Sequence, residues 1–149
     1  MSVPVDDGRC FACGPENPIG LRLHFRRCDG GVARASTVLS PNFQGWRGIA
    51  HGGIAMALLD EAMAHAAGFA GYRGVTARMT VRFRRALPLE VPLTIEGRLA
   101  WQRRGALGLE AAVRDAEGHV LVEGEGTFVS MGSVDAVADR RNPAACDGR

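Results

Sequence analysis

One segment in the middle of the chain combines residue types that could act on a carbonyl group. It starts at His51, continues with two glycines and reaches Asp60 and Glu61 two turns into a predicted helix. Backbone N–H groups at a helix N-terminus are unpaired and carry partial positive charge, and glycine lets a ligand approach them closely. Gly52 and Gly53 could therefore bind an oxyanion or a polarised carbonyl oxygen, or they could simply permit a sharp turn into the helix.

Asp60 is unusual because the helix around it is otherwise built for burial. An unpaired buried carboxylate is costly, and the residues that share its face are small, namely Gly53, Ala57 and Ala64. This leaves room for a substrate or for a strand of a partner subunit. A carboxylate held there could activate water or attack a thioester. For the neighbouring Glu61, the sequence favours exposure to solvent or a salt bridge to an arginine.

The cysteines offer a competing chemistry. Cys10, Cys13, His24 and Cys28 follow the spacing C-x2-C-x10-H-x3-C, which is compatible with a zinc site. A straight strand would separate His24 from Cys28 by about 13 Å, too far for one ion unless the chain turns there. We therefore predict no metal and expect thiols rather than disulfides, as in a reducing compartment. Cys146 lies in a polar tail and has no evident role.

Arginine supplies all 18 basic residues of the chain. Arginine binds phosphate through two parallel hydrogen bonds, so this composition suits a phosphate-bearing ligand. Arg82, Arg84 and Arg85 near one strand end, and Arg103 and Arg104 in a turn, could hold such phosphates. An ordinary solvated strand face would account for each of them equally well.

The bulk composition fits one domain. The chain has 149 residues, of which 46% are hydrophobic, enough for a single core. A net charge of +2 argues against nucleic acid as the main partner. No apolar run reaches the roughly 18 residues that a membrane-spanning helix needs, and the first residues lack a secretory signal. These features predict a cytoplasmic protein.

Alternating apolar and polar residues predict six strands. They cover residues 19–27, 32–39, 75–85, 93–101, 107–114 and 120–131. One strong helix, from about Gly52 to Ala67, is apolar on nearly every side and should be buried. We expect an α+β fold in which an antiparallel sheet of about six strands wraps around this helix. The sheet edge or its uncovered face should meet another subunit.

The predicted domain spans residues 1–131. Residues 1–18 form a lead-in with turn signals at Gly14-Pro15 and Asn17-Pro18. Residues 132–149 are polar and rich in small residues, so we expect a flexible tail.

Three stretches of the chain resemble a known family. They are CFACGPENPIGL at residues 10–21, QGWRGIAHGG at 44–53 and LLDEAM at 58–63. Together they resemble the phenylacetate-pathway branch of the hotdog-fold acyl-CoA thioesterases, over roughly residues 10–131. The resemblance implies a hotdog fold and dimers that often pair into tetramers. It also implies active sites at the dimer interface.

The resemblance further implies roles for single residues. Asp60 matches the family's catalytic acid, acting as nucleophile or general base. Gly52 matches the backbone amide that polarises the thioester carbonyl. Thr76 of the partner chain matches a Ser or Thr that positions water, and Gln44 corresponds to an upstream Asn or Gln that contacts the carbonyl or the water. His51 is expected to orient the loop without transferring a proton.

The sequence thus predicts an acyl-CoA thioesterase that needs no cofactor, because the CoA thiolate is a good leaving group. The predicted substrate-binding residues are His51, Gly53, Arg82, Arg84 and Arg85. One alternative is a non-catalytic acyl-CoA binding protein or sensor, although no DNA-binding helix-turn-helix is visible. Another is a hydratase on the same fold, whose local motif is not found here. Aromatic and medium-chain acyl groups are both open.

Overall fold

A computed structural model describes residues 2–133 and Cys146. The order of the main elements is β1 (Arg26–Arg27), β2 (Ala33–Val38), α1 (Gly52–Phe69), β3 (Tyr72–Phe83), β4 (Pro92–Arg103), β5 (Ala106–Arg114) and β6 (Val120–Ser133). Short 3-10 turns occupy Asp29–Gly31 and Pro41–Phe43. Within the described residues, no helix is long and apolar enough to cross a membrane. The predicted tail falls outside the described part, except that β6 continues to Ser133 and that Cys146 is placed.

The strands form one antiparallel sheet in the order β1-β2-β4-β5-β6-β3, so β1 and β3 lie at its edges. Apolar side chains such as Leu93 and Ile95 are buried, whereas their neighbours Thr94 and Glu96 are partly exposed. This alternation buries one face of the sheet against α1. The predicted sheet of about six antiparallel strands around one central helix is confirmed.

Glycines in the sheet let α1 approach it closely. A Cβ atom at Gly97 would lie 2.4 Å from the backbone oxygen of Ala62, and one at Gly126 would lie 2.7 Å from the sulfur of Met63. Both helix residues are fully buried. Close approach of the helix backbone therefore requires glycine at Gly97, whereas a side chain at Gly126 would displace the flexible Met63 side chain.

The first predicted strand is much shorter than expected. The predicted strand spans residues 19–27, but only Arg26–Arg27 pair with β2. Upstream of β1 the backbone pairs with the lead-in instead, because the N–H groups of Leu21 and Leu23 donate to carbonyl oxygens of residues 11 and 12 at 2.8 and 2.9 Å. Leu21, Leu23 and Phe25 are buried as the predicted alternation requires, but Ile19 at the start of the same pattern is 73% exposed.

Cys28 and Cys146 form a disulfide across 118 residues of sequence. This corrects the expectation of thiols for both, and it excludes the Cys28 sulfur from the zinc set considered above. The Arg34 guanidinium also donates to the backbone oxygen of Cys146 at 2.9 Å. Disulfides persist mainly in oxidising compartments. The bond therefore argues against the cytoplasmic location, which stays a prediction.

Removing this disulfide with Cys28→Ser should lower the free energy of unfolding by about 2–4 kcal/mol, since a cross-link over a long loop restricts the unfolded chain. Urea unfolding without reductant would measure the loss. In the presence of reductant, wild type and variant should unfold at the same urea concentration. Equal midpoints without reductant would contradict the stabilising role.

Candidate active site

The N-terminus of α1 is defined by the side chain of His51. His51 adopts φ −57° and ψ 137°, and its Nδ1 accepts a hydrogen bond from the N–H of Gly53 at 2.9 Å. The backbone oxygen of His51 accepts from Ile54 at 2.9 Å. These bonds satisfy the N-terminal amides as a helix cap does. Among the described residues, nothing accepts from the N–H of Gly52, which is left available at the helix end.

The loop before α1 holds His51 in this position. The N–H of His51 donates to the backbone oxygen of Phe43 at 2.9 Å. A Cβ atom at Gly45 would lie 3.0 Å from Cα of His51, so the loop packs directly on the capping residue. The side-chain oxygen of Gln44 accepts from the N–H of Gly48 at 2.9 Å. This contact leaves the Nε2 group of Gln44 as its donor for a ligand.

Asp60 and Thr76 are in direct contact. The Thr76 hydroxyl, on β3, donates to the Oδ1 atom of Asp60 at 2.5 Å. Asp60 is half-buried and Thr76 is exposed, so a ligand can reach the pair from solvent. The sequence assigned Thr76 to the partner subunit, but here both residues belong to one chain. A contribution from a second chain stays a prediction.

Gly52 and Asp60 lie far apart along α1. Eight residues at 1.5 Å per residue separate them by about 12 Å. Within one chain the structure therefore brings Thr76 to Asp60 and His51 to Gly53. It does not bring the free amide of Gly52 to the Asp60 carboxylate.

Glu61 has different surroundings from those predicted. Its side chain is only 12% exposed, and it contacts the His65 Nε2 atom at 3.1 Å and the Cys10 sulfur at 3.7 and 3.8 Å. Neither solvent nor an arginine is its partner in the described residues. Burial acts to raise the pKa of Glu61, but hydrogen bonds with His65, Cys13 and Cys10 outweigh it and hold this pKa below its usual value.

The thiol of Cys13 faces the same carboxylate. Burial, followed by the hydrogen bond to Glu61 and its negative charge, raises the pKa of Cys13 well above the usual range. Sequence reasoning did not connect these cysteines with Glu61. The sequence feature that indicates a tight turn presenting both thiols is the close spacing of Cys10 and Cys13, followed directly by Gly14.

The three predicted phosphate-binding arginines differ in their contacts. Arg84 donates to the Glu123 carboxylate at 2.6 Å, and this hydrogen bond raises the pKa of Arg84 and lowers that of Glu123. Arg82 and Arg85 take part in none of the ion pairs among the described residues. A groove of about 620 Å³ on the outer face of the sheet includes Arg82 but also several glutamates, and neither Asp60 nor Thr76 lines it.

Comparison with known proteins places this geometry in a family. The model of the thioesterase superfamily matches residues 47–122, about half of the chain, from the loop before α1 into β6. The chain belongs to the thioesterase superfamily. The matched region of this thioesterase superfamily member contains the capping His51, the free amide of Gly52, and the pair formed by Asp60 and Thr76. No curated protein matches the chain.

Solved structures share the fold of this superfamily member. A thioesterase superfamily protein is 29% identical, with a TM-score of 0.80 over 87% of this chain and 68% of that chain. A hypothetical thioesterase from Streptococcus pneumoniae TIGR4, solved with coenzyme A, is 23% identical, with a TM-score of 0.71 over 76% of this chain and 91% of that chain. The PaaI protein of the E. coli phenylacetic acid degradation operon is 19% identical, with a TM-score of 0.70 over 76% and 83%. The predicted hotdog fold and family resemblance are confirmed.

Two further structures of the pneumococcal protein carry single alanine substitutions, one at an aspartate and one at a threonine. These two residues are 16 positions apart in that protein. Asp60 and Thr76 are also 16 positions apart here.

Proposed function

We propose that this protein is an acyl-CoA thioesterase in which Asp60 activates the water that attacks the thioester carbonyl. The observation that carries the proposal is the hydrogen bond from Thr76 to Asp60 at 2.5 Å, beside a helix face of small residues. Thr76 fixes the carboxylate through Oδ1, and no described residue donates to Oδ2. The Oδ2 atom can therefore accept a proton from water while the water oxygen bonds to the carbonyl carbon.

The reaction then completes without a metal or an organic cofactor. The tetrahedral intermediate collapses, the carbon–sulfur bond breaks, and CoA leaves as a thiolate that takes up the proton held by Asp60, which restores the carboxylate. Direct attack by Asp60 would instead give a mixed anhydride, which water hydrolyses in a second step. The alanine substitutions in the pneumococcal protein, at an aspartate and a threonine with the same spacing, support a shared role for Asp60 and Thr76.

We infer that the oxyanion donor comes from a second chain. If Asp60 attacks directly, it and the N–H donor must each lie about 3 Å from the carbonyl group, which limits the gap between them to roughly 6–7 Å, and a bridging water extends this limit to roughly 9–10 Å. The separation of about 12 Å between Gly52 and Asp60 along α1 exceeds both limits. We therefore assign Asp60 and Thr76 to one subunit, and Gly52 with Gln44 to the partner. The sequence instead predicted Thr76 alone as the contribution of the partner chain.

The edge of the sheet supports a dimer with this division. β3 carries Thr76, forms one edge of the sheet and pairs on one side only, with β6. Val75 and Phe83 on this strand are 43% and 51% exposed. A long edge strand with exposed apolar residues is a surface that pairing with another chain would cover.

Binding of CoA phosphates is proposed for Arg82 and Arg85, whose side chains form none of the ion pairs among the described residues. Arg84 would first have to leave Glu123. Gly53 is a weaker substrate ligand than predicted, because its N–H is already bound by His51. The pneumococcal neighbour solved with coenzyme A supports CoA as the carrier.

A free-thiol assay over short, medium, long and aryl acyl-CoAs tests the proposal. We expect thiol release with at least one of these substrates, in proportion to protein concentration. Calorimetry with the same compounds distinguishes the alternative. Binding of acyl-CoA without thiol release across the panel would contradict the proposed thioesterase activity and favour a binding protein or sensor.

A further inference from the structure

Two thiols and a carboxylate meet outside the proposed active site. One ligand atom from each of Cys10, Cys13 and Glu61 lies within 4.8 Å of the other two. The Cys10 sulfur is 3.7 and 3.8 Å from the two oxygens of Glu61. A tetrahedral zinc ion, with bonds of about 2.3 Å to sulfur and 2.0 Å to oxygen, sets its ligands about 3.5–3.8 Å apart. Small side-chain rotations would bring all three atoms to those separations.

The turn that carries the cysteines is already shaped to present both sulfurs. The N–H of Ala12 donates to the Cys10 sulfur at 3.3 Å, and the N–H of Gly14 donates to the Cys10 backbone oxygen at 2.8 Å. A Cβ atom at Gly14 would lie 2.4 Å from the Cys10 nitrogen, so this tight turn requires glycine. A backbone N–H directed at sulfur stabilises a thiolate, which is the form that binds metal.

Glu61 offers a partly buried negative charge whose partners in the described residues are two thiols and one histidine. Its carboxylate is mostly buried on a helix of apolar residues, and no arginine contacts it in the described part of the chain. His65 is its one potentially cationic contact there, with Nε2 at 3.1 Å. Burial of a carboxylate is costly unless it is paired or bound to a metal. A divalent ion would supply that charge.

His65 can complete the coordination. Its ring stacks on Phe25 with centroids 4.7 Å apart and an interplanar angle of 21°, which fixes its orientation. From there Nε2 can remain hydrogen-bonded to Glu61 as an outer partner, or shift towards the ion as a fourth ligand. Two thiolates with a carboxylate and an imidazole are donors that suit zinc.

We propose that Cys10, Cys13 and Glu61 bind a zinc ion that fastens the N-terminal lead-in to α1, with His65 beside it. This set differs from the one considered from the sequence, because Cys28 is in a disulfide and Glu61 comes from the helix. The proposal stands independently of the thioesterase activity. The metal-free alternative is a pair of protonated thiols hydrogen-bonded to the carboxylate.

Metal analysis and cobalt substitution test the site. Protein purified with a phosphine reductant from zinc-supplemented cells should hold about one zinc per chain. After zinc removal, Co²⁺ should give thiolate-to-cobalt charge transfer and the intense visible bands of tetrahedral coordination. Cys13→Ser should lose the zinc and the charge-transfer band, while the double variant Cys28→Ser/Cys146→Ser, which removes the other two cysteines, should keep both.

A thiol reagent provides a readout that does not depend on folding of a variant. In the wild-type protein, zinc should protect two thiols from reaction, and a chelator should expose them. The proposal is overturned if the wild-type protein holds no stoichiometric zinc and Co²⁺ gives no charge-transfer band. It is also overturned if the band persists unchanged in a folded Cys13→Ser variant.

Discussion

Replacing Asp60 with asparagine should lower kcat for acyl-CoA hydrolysis by about 10²–10⁴-fold. The substitution keeps the shape of the side chain and an oxygen that can still accept the Thr76 hydroxyl at the position of Oδ1. It removes the basic oxygen that would take the proton from water, and an amide is also a poor nucleophile. The free-thiol assay measures the loss, and gel filtration with circular dichroism checks that fold and oligomer are unchanged.

Asp29→Asn is the matched control for this variant. Asp29 is exposed in the turn before β2 and lies outside the proposed site, so the same change there should leave kcat near the wild-type value. Wild-type activity in a correctly folded Asp60→Asn protein would rule out the proposed role of the carboxylate.

Replacing Gly52 with proline should lower kcat by about 10²–10³-fold, the range for losing one oxyanion donor. Proline removes the N–H group and adds a ring, and it is well tolerated at the first position of a helix. His51 already has the extended φ −57° and ψ 137° that a residue before proline adopts. A side chain at Gly52 would contact the Phe83 ring at an ordinary 3.6 Å.

Gly52→Ala serves as the control because it adds a Cβ atom and keeps the N–H. The alanine variant should retain most of the activity, and both variants should show the same oligomeric state. Equal losses in the two variants would point to crowding by the added atoms and would contradict the role of the amide.

Mixing the two inactive proteins tests how the residues are divided between chains. In a twofold dimer with composite sites, one Asp60→Asn chain and one Gly52→Pro chain form one intact site. Random exchange of subunits should then restore roughly a quarter of the wild-type activity. If both residues served a site within one chain, every site in the mixed dimer would carry a defect and no activity would return.

The fold followed from local patterns in the sequence. The alternation around Leu93 and Ile95 predicted which face of the sheet is buried, and the apolar run after Gly52 predicted the helix. The helix extends two residues beyond the prediction, to Phe69, because Gly68 is tolerated inside its last turn. Such patterns report which residues are buried and depend little on which strand lies beside which.

Contacts between distant parts of the chain could not be predicted in this way. The cysteine turn meets Glu61 across 51 residues, and the disulfide spans 118. Periodicity carries no information on such pairs. The contact between Asp60 and Thr76 was equally out of reach. The sequence indicates both residues, but only the path of β3 along α1 of the same chain shows that they meet within one subunit.

The Cys28–Cys146 disulfide also constrains the order of events during synthesis. It closes a ring that contains α1 and every strand from β2 to β6. Because Cys146 leaves the ribosome after all of these elements, the ring cannot close until their sequence is complete. The bond therefore locks a sheet that has already been able to assemble, and it cannot direct how the strands first find their partners.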